Sequence, residues 1–169
     1  MKLRYSIALS LPLASASAMA ADLALKLDVP QLNVAEYHRP YIAAWLENAD
    51  QKVVANLGVL YDTKKKDNAG TKWLKDMRQW WRKTGRELTM PMDGVSGATK
   101  APGELTLNIP KGSLDKLPAG QYTVLVEAAR EAGGREVVKV PLAWPPKTAA
   151  NVTGQGKEEL GAVVVQVKP

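Results

Sequence analysis

The chain has 169 residues, with 23 Lys and Arg against 17 Asp and Glu, one histidine and no cysteine. That inventory leaves no disulfide, no Cys-x-x-Cys-His haem attachment, no iron–sulfur ligation by cysteine and no thiolate zinc site. The lone His38 supplies neither a bis-histidine metal site nor a ready triad, so any redox chemistry has to be carried by a bound organic cofactor.

The first twenty residues read as a secretory signal peptide. Lys2 and Arg4 begin it, Ile7 to Ala14 is an apolar run, and Ala18-Met19-Ala20 is a cleavage site. The run is shorter than the ~20 residues that a membrane span requires. The expectation is cleavage after Ala20 and a single periplasmic domain over residues 21–169, not transmembrane. Loss of Lys2 and Arg4 lowers the net charge from +6 to +4. That mild excess favours anionic partners without pointing to nucleic acid.

Leu23 to Val29 alternates and ends at Pro30, which predicts a strand. Tyr41 to Glu47 and Lys52 to Leu60, separated by Asn48-Ala49-Asp50, predict a hairpin. Lys64-Lys65-Lys66 belongs to a solvated loop. From Trp73 to Lys83 an apolar stripe of Trp73, Leu74, Met77, Trp80 and Trp81 predicts one short amphipathic helix with a basic opposite side. The bland reading of that stripe is core packing; the sharper ones are walls of a cofactor pocket or contact with an anionic membrane. Leu105 to Ile109 is a further strand. Gly120 to Arg130 and Arg135 to Trp144, joined through Gly133-Gly134, form a second hairpin stopped by Pro145-Pro146. Lys147 to Lys157 reads as a loop, its Asn151-Val152-Thr153 sequon as chance, and Leu160 to Val167 as a terminal strand. Many short strands and one helix predict a mainly β fold, an immunoglobulin-like antiparallel β-sandwich. Leu117 to Val124 resembles the turn-strand signature of immunoglobulin-like modules such as that of flagellar hook-capping proteins.

Between the helix and the third strand group lies Asp93-Gly94-Val95-Ser96-Gly97-Ala98-Thr99. Glycines at 94 and 97 permit backbone forms closed to other residues, and Ala98 keeps bulk from the Thr99 hydroxyl. Asp-Gly is also a common turn dipeptide, and a plain turn is the competing reading. The stretch resembles the acceptor motif of covalently flavinylated extracytoplasmic proteins, in which a flavin transferase joins FMN through its phosphate to the final threonine. The resemblance is full at Asp93, Ser96, Gly97, Ala98 and Thr99 and makes Thr99 the acceptor. Lys100 and Arg39 are then candidates to pair with the phosphate, and Trp80, Trp81, Trp45, Tyr37 and Tyr41 to stack on the ring.

Four blocks, His38 to Glu47, Lys72 to Arg82, Asp93 to Gly103 and Gln121 to Arg135, together resemble a family of predicted periplasmic proteins, a domain of unknown function. That resemblance implies a flavin transferase and a PepSY-type membrane redox protein as partners. It leads to an electron shuttle carrying covalent FMN on Thr99, with no catalytic residues or metal of its own. The alternative is a non-catalytic binding or accessory module of a membrane redox complex, without cofactor. An autonomous hydrolase is a distant third, because a Ser–His–Asp site would have to recruit His38.

Overall fold

A computed structural model describes residues 21–169; the expected signal peptide, 1–20, lies outside the described residues. Nine strands form two sheets: β1 (Asp22–Val29), β2 (Tyr41–Asn48), β3 (Val53–Tyr61), β4 (Ser96–Ala98), β5 (Gly103–Asn108), β6 (Gly120–Ala129), β7 (Arg135–Trp144), β8 (Ala150–Gln155) and β9 (Ala162–Lys168). The four-stranded sheet has the order β5-β1-β9-β8, and the five-stranded sheet has the order β4-β3-β2-β6-β7. The domain is mainly β, as its sequence implied.

The inner faces bury one core. Leu23, Leu25 and Leu27 of β1 and Val163, Val165 and Val167 of β9 share it with Ile42, Ala44 and Leu46 of β2 and Val124, Val126 and Ala128 of β6. Strand β1 is buried at alternate residues because its sheet is solvated on the other side. Strand β2 is buried at six consecutive residues, Ile42 to Glu47, because its sheet is covered on both faces.

The outer cover comes from the segment after β3. A 3₁₀ helix, Lys66–Asp76, is followed by α1 (Arg78–Lys83) and a 3₁₀ turn, Gly85–Glu87. Leu74, Met77 and Trp80 fill a second core with Ala43, Trp45, Val59, Tyr61 and Leu125. The continuous helix expected from Trp73 to Lys83 is therefore broken at Met77, whose ψ of 73° is not helical. The consequence is a change of face. In a 3₁₀ helix, residues three apart eclipse, so Leu74 and Met77 point to the sheet while Trp73 and Asp76 point elsewhere.

A buried carboxylate docks α1. Glu127 of β6 is fully buried and accepts hydrogen bonds from the Gln79 amide at 3.0 Å and the Trp80 amide at 2.7 Å. Arg135 Nη1 pairs with it at 2.9 Å. The first-turn amides of a helix have no partner of their own, and Glu127 supplies one from the sheet. The Trp80 indole donates to Asn56 Oδ1 at 2.9 Å. Gly85 lies against the same ring; a Cβ there would come within 2.5 Å of Trp80 Cζ3.

Two strands depart from the expected layout. Ser96–Ala98, expected in a loop, pairs in parallel with Val59 to Tyr61, so the five-stranded sheet is mixed rather than purely antiparallel. Ala150–Gln155, also expected as loop, pairs with β9 at a sheet edge. Its residues are exposed or half-buried throughout, so it lacks the apolar signal of a buried strand.

Candidate functional site

The ends of four neighbouring strands come together at one end of the five-stranded sheet. Tyr41 opens β2 opposite Ala129, which closes β6. Tyr61 closes β3 beside Ala98, which closes β4. The connections leaving these ends enclose a cleft of about 710 Å³.

Thr99 stands on the wall of this cleft with Ala98, Lys100 and Ala101. Its amide donates to the Tyr61 carbonyl at 3.1 Å, which continues the parallel pairing one residue past β4. Thr99 is half-buried and Lys100 is exposed. The loop before β4 is a tight turn. Ser96 N–H donates to the Met92 carbonyl at 2.9 Å, while Ser96 Oγ accepts from the Met92 amide at 2.8 Å. Gly94 within it has φ +70°, a left-handed value that favours glycine. Gly97 lies against Leu60; a Cβ there would meet Leu60 Cδ2 at 2.9 Å. Asp93 is exposed and accepts no hydrogen bond among the described residues, so Ser96 alone of the two side chains holds the turn.

Three aromatic residues also line the cleft: Tyr37, Tyr41 and Trp73. Tyr41 meets Tyr61 edge-on, with centroids 6.4 Å apart, and donates its hydroxyl to the Gly70 carbonyl at 3.1 Å. Burial raises the pKa of the Tyr37 and Tyr41 phenols, so both are neutral donors at ordinary pH. Arg130 lies 5.9 Å from the Tyr37 centroid and forms a buried two-point pair with Glu159, at 3.0 and 3.1 Å. Trp73 is 40% exposed, the most open aromatic ring of the described residues, with Lys65 Nζ 5.6 Å from its centroid.

Charge in the cleft is mixed. Arg39, Lys64, Lys65 and Lys100 line it together with Asp62, Asp76 and Glu131. His38 lies between Glu36 at 3.3 Å and Glu131 at 3.8 Å. No group of three or more metal-ligating side chains occurs among the described residues.

The residues singled out in the sequence separate into two groups. Thr99, Ala98, Lys100, Arg39, Tyr37 and Tyr41 line the cleft, whereas Asp93, Ser96 and Gly97 build the turn and strand that present Thr99. Trp80 and Trp45 are fully buried in the second core and stand off the cleft wall. Trp81 is half-buried, with its ring 6.3 Å from that of Trp80, and is not a lining residue either. Trp73 belongs to the stripe read as core or as pocket wall but not to the named stacking candidates, and it is the tryptophan that lines the cleft. The break at Met77 turns it away from the stripe to which 3.6-residue periodicity assigned it.

Residues 22–162, most of the chain, match the family described as "Predicted periplasmic protein (DUF2271)". The chain belongs to this family. Its description agrees with the periplasmic location expected from the leader. No curated protein and no solved structure matches the chain at a significant level. No helix of the described residues is long and apolar enough to cross a membrane.

Proposed function

We propose that this DUF2271 protein is a periplasmic electron carrier that holds FMN in the cleft, joined through its phosphate to Thr99 Oγ1. The observation that carries the reading is a coincidence of two independent signals. The motif selects Thr99 from sequence alone, and Thr99 stands on the wall of the 710 Å³ cleft. Sites for small ligands span about 300–1,000 Å³, and a tricyclic ring with a ribityl phosphate falls within that range.

The residues present suit the group. Arg39 and Lys100 offer cations to the phosphate. Tyr37, Tyr41 and Trp73 offer flat faces to the ring, and the Tyr37 phenol offers a donor, the Tyr41 hydroxyl being engaged by the Gly70 carbonyl. FMN, when bound, supplies one- and two-electron chemistry; the chain's own residues orient it, shield it and prevent its loss by diffusion. In this reading the protein is not an enzyme by itself. A flavin transferase loads it, and a PepSY-type membrane redox protein exchanges electrons with it. We read its two sheets as an immunoglobulin-like sandwich with β4 added in parallel at one edge.

A second reading keeps the cleft and drops the cofactor: a non-catalytic binding or accessory module of a membrane redox complex. The Ser96–Met92 hydrogen bonds favour it, because they account for the motif as a structural turn without reference to a ligand. Intact mass of the exported protein, produced with a flavin transferase, separates the two. The first reading expects a gain of one FMN less one water, and the second expects none.

A further inference from the structure

The positive charge of this protein is not spread over it. Residues 62–88 contain nine Lys and Arg against four Asp and Glu. The rest of the described chain contains twelve against thirteen. The excess therefore resides in the segment that covers the outer face of the five-stranded sheet and contributes Lys64, Lys65, Trp73 and Asp76 to the cleft.

Lys64 and Lys65 line the cleft, and Lys66, Lys72, Lys75 and Arg78 each lie within two residues of a lining residue; these cations form its lip, and they are free. Lys64, Lys65, Lys66, Lys72, Lys75 and Arg78 are all exposed, and none forms an ion pair among the described residues. Nearby Lys83 shows the contrast: its ammonium is tied to buried Glu47 at 2.8 Å and serves packing. Unpaired cations gathered beside a cleft raise the local potential and steer a negatively charged partner to that place.

We propose that this lip is the docking face for a protein partner with an acidic surface, seated over the mouth of the cleft. A lipid surface fits less well. Among large apolar side chains of the segment, only Trp73 is exposed, which leaves no apolar face to enter a bilayer. Asp62, Asp67 and Asp76 are interspersed with the cations. A uniformly anionic sheet repels them, whereas a protein can place neutral or positive groups opposite them. That the partner exchanges electrons rests on the flavin reading; the charge of its surface does not.

The test uses the Thr99→Ala protein, so flavin loading has no part in it. The probe is a fluorescein-labelled polyglutamate peptide, with binding read by anisotropy across a salt series. The triple variant Lys66→Glu, Lys72→Glu, Lys75→Glu leaves every cleft-lining residue in place and should weaken binding about tenfold or more at low salt. Reversing three exposed lysines elsewhere, Lys139→Glu, Lys147→Glu and Lys168→Glu, makes the same change in net charge and should weaken it less than about threefold. Circular dichroism of both variants establishes that each is folded. Absence of binding overturns the proposal, as does equal loss in the two triples. Tighter binding to phosphatidylglycerol vesicles than to the peptide, lost in the lip triple, overturns it in favour of a membrane surface. A protein that gains no flavin mass in the loading experiment contradicts the flavin reading alone and leaves this result standing.

Discussion

The Thr99 amide donates to the Tyr61 carbonyl at 3.1 Å, and this bond fixes the Thr99 backbone on the cleft wall. Tyr61 is the last residue of a buried strand, and its ring meets Tyr41 edge-on at 6.4 Å. Thr99 is thus the first residue beyond β4, with its backbone anchored where it lines the cleft. A residue on a rigid sheet end is held more firmly than one on a free loop.

Trp73 and Trp80 should respond oppositely to truncation. Trp80→Ala removes a fully buried ring and an indole bond to Asn56, and should cost about 3–5 kcal/mol. Trp73→Ala removes a ring that is 40% exposed and should cost about 1 kcal/mol or less. It should also reduce the protein's hold on the isoalloxazine, seen as increased flavin fluorescence. Urea midpoints that fall equally for both variants would place Trp73 in the core and remove it from the cleft.

Much of this was legible in the sequence. The β1 alternation, both hairpins and the Gly133-Gly134 turn declare themselves through period-two patterning and turn chemistry. Trp73 did not, because spacing alone cannot separate one α-helix from a 3₁₀ segment broken at Met77. The pairing of Ser96–Ala98 was hidden for another reason: three small residues carry no strand signal, and their place is set by β3. Ala150–Gln155 is an exposed edge, where polar residues suffice. Asp62, Asp76 and Glu131 look like ordinary surface carboxylates until the fold brings them into one cleft with Thr99.

Glu127 is the tie between sheet and cover. Its carboxylate serves two α1 amides and Arg135. Glu127→Ala leaves those amides without partners and should cost about 2–3 kcal/mol. Glu127→Gln keeps the shape and an acceptor oxygen and should cost less. Because α1 follows the cleft-forming 3₁₀ segment, hydrogen exchange in Glu127→Ala should rise first over residues 66–87. Uniform acceleration over both sheets would show that the cover is not a separate unit of stability.

Acid should act through Glu136. Burial raises its pKa, but four backbone amides, those of Lys157, Glu158, Glu159 and Leu160, together hold it below the ordinary value of 4.5. A carboxylate depressed in the folded state contributes stability that is fully present above its unfolded pKa and is lost as pH falls through the folded one. Glu136→Gln should therefore be less stable than the parent at pH 7, and the difference should shrink as pH drops below about 4.5. A gap between the two that stays constant from pH 7 to pH 3 would rule this out.

Thr99→Ser retains a hydroxyl at the cleft wall and should still accept flavin, at a lower rate if the threonine methyl helps to orient the oxygen. Asp93→Ala should slow loading with little effect on stability, since Asp93 is exposed and makes no hydrogen bond among the described residues. Time courses of flavin incorporation, read by in-gel fluorescence, check both. Normal loading of Asp93→Ala would confine the acceptor signal to Ser96 through Thr99.

Intact-mass measurement of the exported protein, co-produced with a flavin transferase, tests the central claim most directly. The parent chain should carry one FMN less one water beyond its mature mass, and the addition should survive denaturation. Thr99→Ala should show the unmodified mass with an unchanged urea midpoint. A parent chain of unmodified mass from a host whose transferase loads a known acceptor, or flavin retained covalently by Thr99→Ala, would contradict the account.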